Sequence, residues 1–276
     1  MHLHPASDQT GLSPTRCHHG PVPVHRVADS GFDREAVSYD RARPDYPPDC
    51  IAWFAQHLGI GPGRRVLDLA AGTGKFTRLL EPLGADLLAA EPVVGMQAIL
   101  HERSPQVPVL ASTAELLPFA DGSLDAITVA QAFHWFDAAV ALEEAARVLR
   151  PGRRLGLVWN ARDRSRPHVD ALWSIMDRVE KQAPWRKHEE WREAAFTETA
   201  FFGPLHEATF HHAQLMTVDE VVDRFRSVSH VAVLPPDEQD AVLDEVRAMV
   251  TSHPDTAGQD RIEIPYRVDA YWCEKA

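Results

Sequence analysis

A glycine-bearing stretch, VLDLAAGTGKFT, joins a compact apolar run to a helical pattern. Gly72 and Gly74 in this stretch let the backbone approach a ligand closely, and the helix that follows offers free N–H groups. Glu91 ends the next apolar run, 17 positions after Gly74. Ligands of open α/β sheets bind outside the carboxyl ends of the strands, where a carboxylate can accept hydrogen bonds from a ribose diol. Together the glycines and the carboxylate predict a nucleoside site.

The spacing of the glycines separates two kinds of nucleoside ligand. A dinucleotide fingerprint, G-x-G-x-x-G, requires a third glycine where this chain has Thr77, and starting it one step earlier fails at Ala70. Asp68, at the end of the preceding apolar run, would oppose a pyrophosphate. A ligand with no phosphate and with a positive centre, such as S-adenosylmethionine, therefore suits the loop better than a dinucleotide does. Because Glu91 specifies only a ribose, a nicotinamide-dependent oxidoreductase stays open as the alternative.

The order of apolar runs and helical patterns along the chain predicts the strands and helices that position these residues. Short apolar runs alternate with helical patterns between about residues 50 and 161. This predicts an α/β fold with a Rossmann-like, doubly wound, mostly parallel sheet that helices cover on both faces. Two more strand candidates lie at 206–214 and 261–275, and the last suits an antiparallel terminal strand. Residues 162–204 break the alternation and are predicted to form a small helical insert that binds substrate, whereas residues 1–30 are predicted to be a mobile tail.

Charge and cysteine content argue against several partner classes. The 276 residues carry 40 Asp and Glu against 28 Lys and Arg, a formal net charge of -12. Such a surface repels nucleic-acid backbones and anionic membranes. No apolar run reaches the roughly 20 residues of a membrane span, and the start of the chain lacks the apolar centre of a secretory signal. Three scattered cysteines are typical of a reducing compartment. We expect a cytoplasmic protein, a monomer or homodimer, that acts on a small molecule.

Three longer motifs, VLDLAAGTGKFT, AAEPVVGM and STAELLPFADGSLDAITVAQAFHWFD, resemble the class I S-adenosylmethionine-dependent methyltransferases. Within that family the chain is similar to the methyltransferase type 11 group, which includes enzymes similar to trans-aconitate methyltransferase. The flanking YDRARPDYPP and RVLRPGRRLGLVWN also resemble this group, so that the likeness covers residues 35 to 161 strongly. It implies a seven-stranded sheet in one domain over residues 31–276, with lid helices at 31–62.

The resemblance also implies a cofactor site for S-adenosylmethionine, which leaves as S-adenosylhomocysteine. Ala70 stands where the family has its first glycine, a mild departure because no pyrophosphate must enter there. Glu91 would hold the ribose, and Arg43 would pair with the carboxylate of the cofactor. The residues implied in cofactor binding are Tyr39, Arg43, Asp68, Ala70, Gly72, Gly74, Glu91, Pro92, Met96, Thr113, Ala114, Glu115 and Gln131.

His134, in the stretch QAFHWFD after the fourth strand, is the candidate catalytic base, because a histidine of near-neutral pKa can take a proton from an acceptor. The alternative is that His134 has no catalytic role and only packs or hydrogen-bonds in the wall of the substrate pocket. Trp173, Trp185 and Trp191 in the insert suggest an aromatic pocket or, equally, helix packing. No cluster of carboxylates indicates a metal. The interpretation as a His-rich tail, rather than as a metal site, is favoured for the group formed by Cys17, His18, His19 and His25. The predicted reaction is O-, N- or C-methylation of a small molecule; a non-catalytic cofactor-binding protein is the further alternative.

Overall fold

The computed structural model describes residues 44–180 and 191–276, and within them the chain forms a seven-stranded sheet covered by helices on both faces. The strands are β1 Arg65–Leu69, β2 Asp86–Ala90, β3 Val109–Leu110, β4 Leu124–Ala130, β5 Leu149–Arg162, β6 His206–Met216 and β7 Ile262–Glu274. The helices are α1 Pro48–Leu58, α2 Lys75–Leu80, α3 Val94–Arg103, α4 Ala138–Val148, α5 Pro167–Glu180, α6 Trp191–Glu198, α7 Val218–Arg226, α8 Ser229–Ala232 and α9 Pro236–Ser252. Two 3₁₀ turns cover Glu81–Leu83 and Phe133–Trp135.

The strand order is β3-β2-β1-β4-β5-β7-β6. Strands β1 to β5 pair in parallel, and β7 runs antiparallel between β5 and β6. The predicted fold class, a mostly parallel doubly wound sheet with an antiparallel terminal strand, is confirmed. Strand order reverses between β1 and β4, which is the switch point where ligands of such sheets bind.

The apolar runs form strands because both of their faces are covered. Six of the seven residues of β4 are buried, as expected for a parallel strand between two helical layers. One layer packs Leu142 of α4 on this sheet, and the other packs Phe54 and Leu58 of α1 on the opposite face. Gly156 permits the second contact, because a Cβ there would lie 2.6 Å from Cε1 of Phe54.

A third apolar cluster joins α5 to the helices between β6 and β7. Trp173 of α5 is buried against Phe225 of α7, with ring centroids 4.9 Å apart, and Val246 of α9 belongs to the same cluster. Trp173 is therefore a helix-packing residue. Trp185 and the side chain of Trp191 lie outside the described part of the chain, as do the predicted tail and residues 31–43 of the predicted lid. Within the described ranges, no helix is both long enough and apolar enough to cross a bilayer.

Candidate functional site

A cavity opens at the carboxyl ends of β1, β2 and β4, the predicted switch point. Among the residues that line it are nine of the predicted cofactor residues: Ala70, Gly72, Glu91, Pro92, Met96, Thr113, Ala114, Glu115 and Gln131. Tyr39 and Arg43 lie outside the described residues. Asp68, Gly74 and His134 do not belong to the lining. Segments that are up to 61 positions apart in the sequence thus meet around one space.

Glu91 sits at the end of β2 and is 5 % exposed. Its Oε2 accepts a hydrogen bond from the backbone N–H of Gly72 at 2.8 Å, and its Oε1 accepts one from the N–H of Val93 at 2.9 Å. Burial raises the pKa of Glu91, against the two N–H groups, which lower it. Each carboxylate oxygen has a further lone pair, so the carboxylate can hold the glycine loop and still accept bonds from a diol.

Asp68 lies beneath the glycine loop and faces the protein interior. Its side chain is fully buried; Oδ2 accepts from the hydroxyl of Thr77 at 2.6 Å and Oδ1 from that of Thr128 at 3.0 Å. Burial raises the pKa of Asp68 to about 6, although both threonine hydroxyls lower it. The resemblance implies that Asp68 belongs to the cofactor loop. The structure places its oxygens on Thr128 of β4 and Thr77 of α2, and its part in cofactor binding stays a prediction. Thr77, which replaces a third glycine, is the donor on α2.

The two glycines of the loop have different roles. Gly74 has φ 78°, and a Cβ there would lie 2.8 Å from Cγ of Leu100, so this glycine permits close packing of the loop on α3. Gly72 has φ 58°, but a Cβ there would meet nothing within 4 Å. Gly72 lines the cavity, and its positive φ favours glycine at this position.

Two non-glycine residues adopt left-handed backbone conformations, and both line the cavity. Ala70 has φ 54° at the end of β1, and Gln131 has φ 59° at the end of β4. Among the residues described, they are the two non-glycine residues with positive φ. This conformation costs an L-residue about 1–2 kcal/mol, and such strain clusters at functional sites. At Ala70 the strain arises where the resembled family has glycine.

The Phe133–Trp135 turn forms one wall of the cavity through Trp135 and the following Phe136. His134 is half-buried beside this wall, its ring 4.9 Å from that of Trp135. Its role as a base stays a prediction. Next to Phe136, Glu115 accepts a hydrogen bond at Oε1 from the N–H of Asp137 at 3.0 Å, which ties the lining to the start of α4.

Several lining residues were not predicted from the sequence, among them Pro44, Tyr46, Thr73, Lys75, Phe76 and Ser112. Ser112 directly precedes the predicted Thr113, so its position in the sequence could have identified it as a lining residue. Its hydroxyl oxygen is buried without a hydrogen-bond partner. Pro44 and Tyr46 lie in the stretch YDRARPDYPP that resembles the family, but from that stretch only Tyr39 and Arg43 were assigned to the cofactor site. In the two described ranges, no group of three or more potential ligands has metal-binding geometry.

Comparison with known proteins assigns the family. The family model of a methyltransferase domain matches residues 67–157. An uncharacterized methyltransferase of Mycobacterium tuberculosis is 38% identical over 247 residues, covering 85% of this chain and 91% of that protein. The chain belongs to the class I methyltransferases.

Solved structures share the fold of this methyltransferase. A proposed type II methyltransferase from Anaeromyxobacter dehalogenans superposes with a TM-score of 0.63 at 24% identity, over 84% of this chain and 96% of that one. Phosphoethanolamine N-methyltransferase 2 of Haemonchus contortus, in complex with phosphomonomethylethanolamine and S-adenosylhomocysteine, gives a TM-score of 0.56 at 15% identity, over 92% of this chain and 60% of that one. At these identities the likeness concerns the fold.

Proposed function

We propose that this methyltransferase binds S-adenosylmethionine in the cavity and transfers its methyl group to a small-molecule acceptor in the cytoplasm. The proposal depends on the Glu91 carboxylate, which is held against the glycine loop at the end of β2. Each of its oxygens accepts one backbone N–H and has a further lone pair that can accept a hydrogen bond. That arrangement suits a ribose diol. The acidic net charge of -12 supports a small-molecule acceptor over nucleic acid or a membrane surface.

The lining fits the cofactor chemically. Pro92, Met96 and Ala114 offer apolar surface for an adenine ring, and the unpartnered hydroxyl of Ser112 offers a hydrogen bond to a polar edge. Gly72 leaves room beside Glu91. The Haemonchus neighbour was solved with S-adenosylhomocysteine, the product of methyl transfer from S-adenosylmethionine, which supports this cofactor over a dinucleotide in this fold.

Methyl transfer requires mainly that the protein align the acceptor with the methyl group of the cofactor. When bound, S-adenosylmethionine supplies an electrophilic methyl group on a positively charged sulfur. The chain must orient an acceptor toward that site and exclude water, and alignment of this kind is worth about 7 to 11 kcal/mol in favourable cases. Tyr46, Trp135 and Phe136 provide aromatic surface around the cavity for the acceptor. An imidazole nitrogen of His134 is the candidate to take a proton from an acceptor that must lose one, worth about 10²- to 10⁴-fold.

Two other functions compete with this one. A nicotinamide-dependent oxidoreductase would need close backbone approach to a pyrophosphate, and Thr77 occupies the position of the third glycine of that fingerprint. A non-catalytic protein would keep the nucleoside site and lack turnover. No feature of the cavity favours either over methyl transfer.

Two measurements test the proposal. Calorimetric titration with S-adenosylhomocysteine and, separately, NADH is expected to show binding of the first and no binding of the second; the reverse result would remove the cofactor assignment. Transfer of label from methyl-labelled S-adenosylmethionine to a panel of small alcohols, amines and carbon acids then tests turnover. Tight binding of S-adenosylhomocysteine without transfer to any acceptor would favour the non-catalytic function.

A further inference from the structure

The three residues that precede α1 form part of the cavity wall. We call residues 44–46 the roof segment; Pro44 and Tyr46 are buried and line the cavity, whereas Asp45 is exposed. The ring of Tyr46 meets that of Phe76 edge-on at 5.0 Å. The carboxylate of Asp45 lies 3.3 Å from Nζ of Lys75. Both of these contacts attach the roof segment to α2, directly after the glycine loop.

A further contact attaches the roof segment to β5, the neighbour of β4 in the sheet. The side-chain amide of Asn160 donates from Nδ2 to the backbone carbonyl of Asp45 at 3.3 Å. Asn160 stands two residues beyond Val158, the last residue of β5 that pairs with β4. From there on β5 is paired with β7 alone. Asn160 therefore lies on the part of β5 that extends beyond the end of β4.

Asn160 is itself held in one orientation by His212 of β6. Nε2 of His212 lies 3.0 Å from Oδ1 of Asn160, and the imidazole stacks on the ring of Tyr266 at 5.3 Å. Because the Asn160 amide nitrogen donates to the Asp45 carbonyl, its oxygen must accept, and Nε2 of His212 carries the hydrogen. Burial lowers the pKa of His212, but Nε2 remains a donor in both protonation states.

We propose that Asn160, oriented by His212, is a positioning residue that holds the roof segment over the cofactor cavity and slows cofactor release. The inference rests on the proposed function, since it takes the cavity to be the cofactor site. Neither side chain lines the cavity; each acts through the Asp45 carbonyl. Removing one neutral hydrogen bond is expected to raise the release rate of S-adenosylhomocysteine about two- to tenfold, with the association rate little changed.

The test compares release rates of S-adenosylhomocysteine by surface plasmon resonance for the full chain and its variants. Asn160→Asp keeps the side-chain shape and the acceptor for His212 but removes the donor to Asp45; Asn160→Ala and His212→Ala remove the bonds from either end. His211→Ala is the matched control, because His211 is the exposed neighbour of His212 on β6 and points to the opposite face of the strand.

We expect faster release in all three test variants, parent-like release in His211→Ala, and a double variant of Asn160 and His212 that is no faster than Asn160→Ala alone. His212→Gln, which keeps an N–H donor, is expected to restore slow release. A general loss of structure would instead lower the unfolding temperature without this pattern. Release at the parental rate in folded Asn160→Asp, or additive effects in the double variant, would overturn the inference. A parent chain that fails to bind S-adenosylhomocysteine would overturn the proposed function itself.

Discussion

Replacing Glu91 by alanine is the sharpest perturbation of the proposed cofactor site. The carboxylate is the one charged group of the lining at the end of β2, and it accepts from the N–H groups of Gly72 and Val93. A ribose hydroxyl bound to it would make a charge-assisted hydrogen bond. Loss of a single bond of this kind costs about 1.5–3 kcal/mol, which weakens binding about tenfold to hundredfold.

The affinity for S-adenosylhomocysteine at pH 8, measured by calorimetry, gives the result directly. Asp86→Ala is the control, because Asp86 begins the same strand and its half-exposed side chain pairs with Arg65. Glu91→Gln keeps one acceptor oxygen and is expected to fall between Glu91→Ala and the parent. Thermal unfolding without ligand separates lost affinity from lost structure, since Glu91→Ala also leaves two backbone donors without their acceptor. Unchanged affinity in a folded Glu91→Ala protein would refute the ribose assignment.

The same geometry predicts the effects of replacing His134, Asp68 and the two glycines of the loop. His134→Ala is expected to lower the rate of methyl transfer with little change in cofactor affinity; equal turnover would leave His134 as part of the wall. Burial raises the pKa of Asp68 from 3.8 to about 6, so its proton stabilises the folded state below about pH 4 and that contribution is lost as the pH rises through 6. The stability of the parent relative to Asp68→Asn, from urea unfolding, should therefore fall by about 2 kcal/mol between pH 4 and pH 7; a constant difference would contradict the assignment. Gly74→Ala should cost about 2–4 kcal/mol of stability through the clash with Leu100 and its positive φ. Gly72→Ala should cost about 1–2 kcal/mol and mainly weaken cofactor binding; a reversal of this order would show that the loop packs differently.

The fold was predictable because its signal is local and repeated. Each apolar run between residues 50 and 161 became a strand in the parallel part of the sheet, and each intervening helical pattern became a helix. The antiparallel β7 was also predicted, as the terminal strand candidate at 261–275, which lacks a clear crossover pattern. The packing of α5 with α7 and α9 was not, because the side chains of that cluster lie on elements separated by β6.

The site was predictable where its residues adjoin strand ends. Gly72 and Glu91 follow β1 and β2, and spacing alone brought them together. The orientation of Asp68 was not, because Leu67, Asp68 and Leu69 are all buried and no alternation shows which way the carboxylate points. The contact of Asn160 with Asp45 joins residues that are 115 positions apart in the sequence. The local sequence of neither residue predicts this contact.

A crystal structure of the chain with S-adenosylhomocysteine tests the central claim most directly. We expect both ribose hydroxyls to lie within hydrogen-bond distance of the Glu91 carboxylate, with the adenine against Met96 and Ala114. Nucleoside density elsewhere on the protein, or a diphosphate seated at the Gly72 loop, would contradict it.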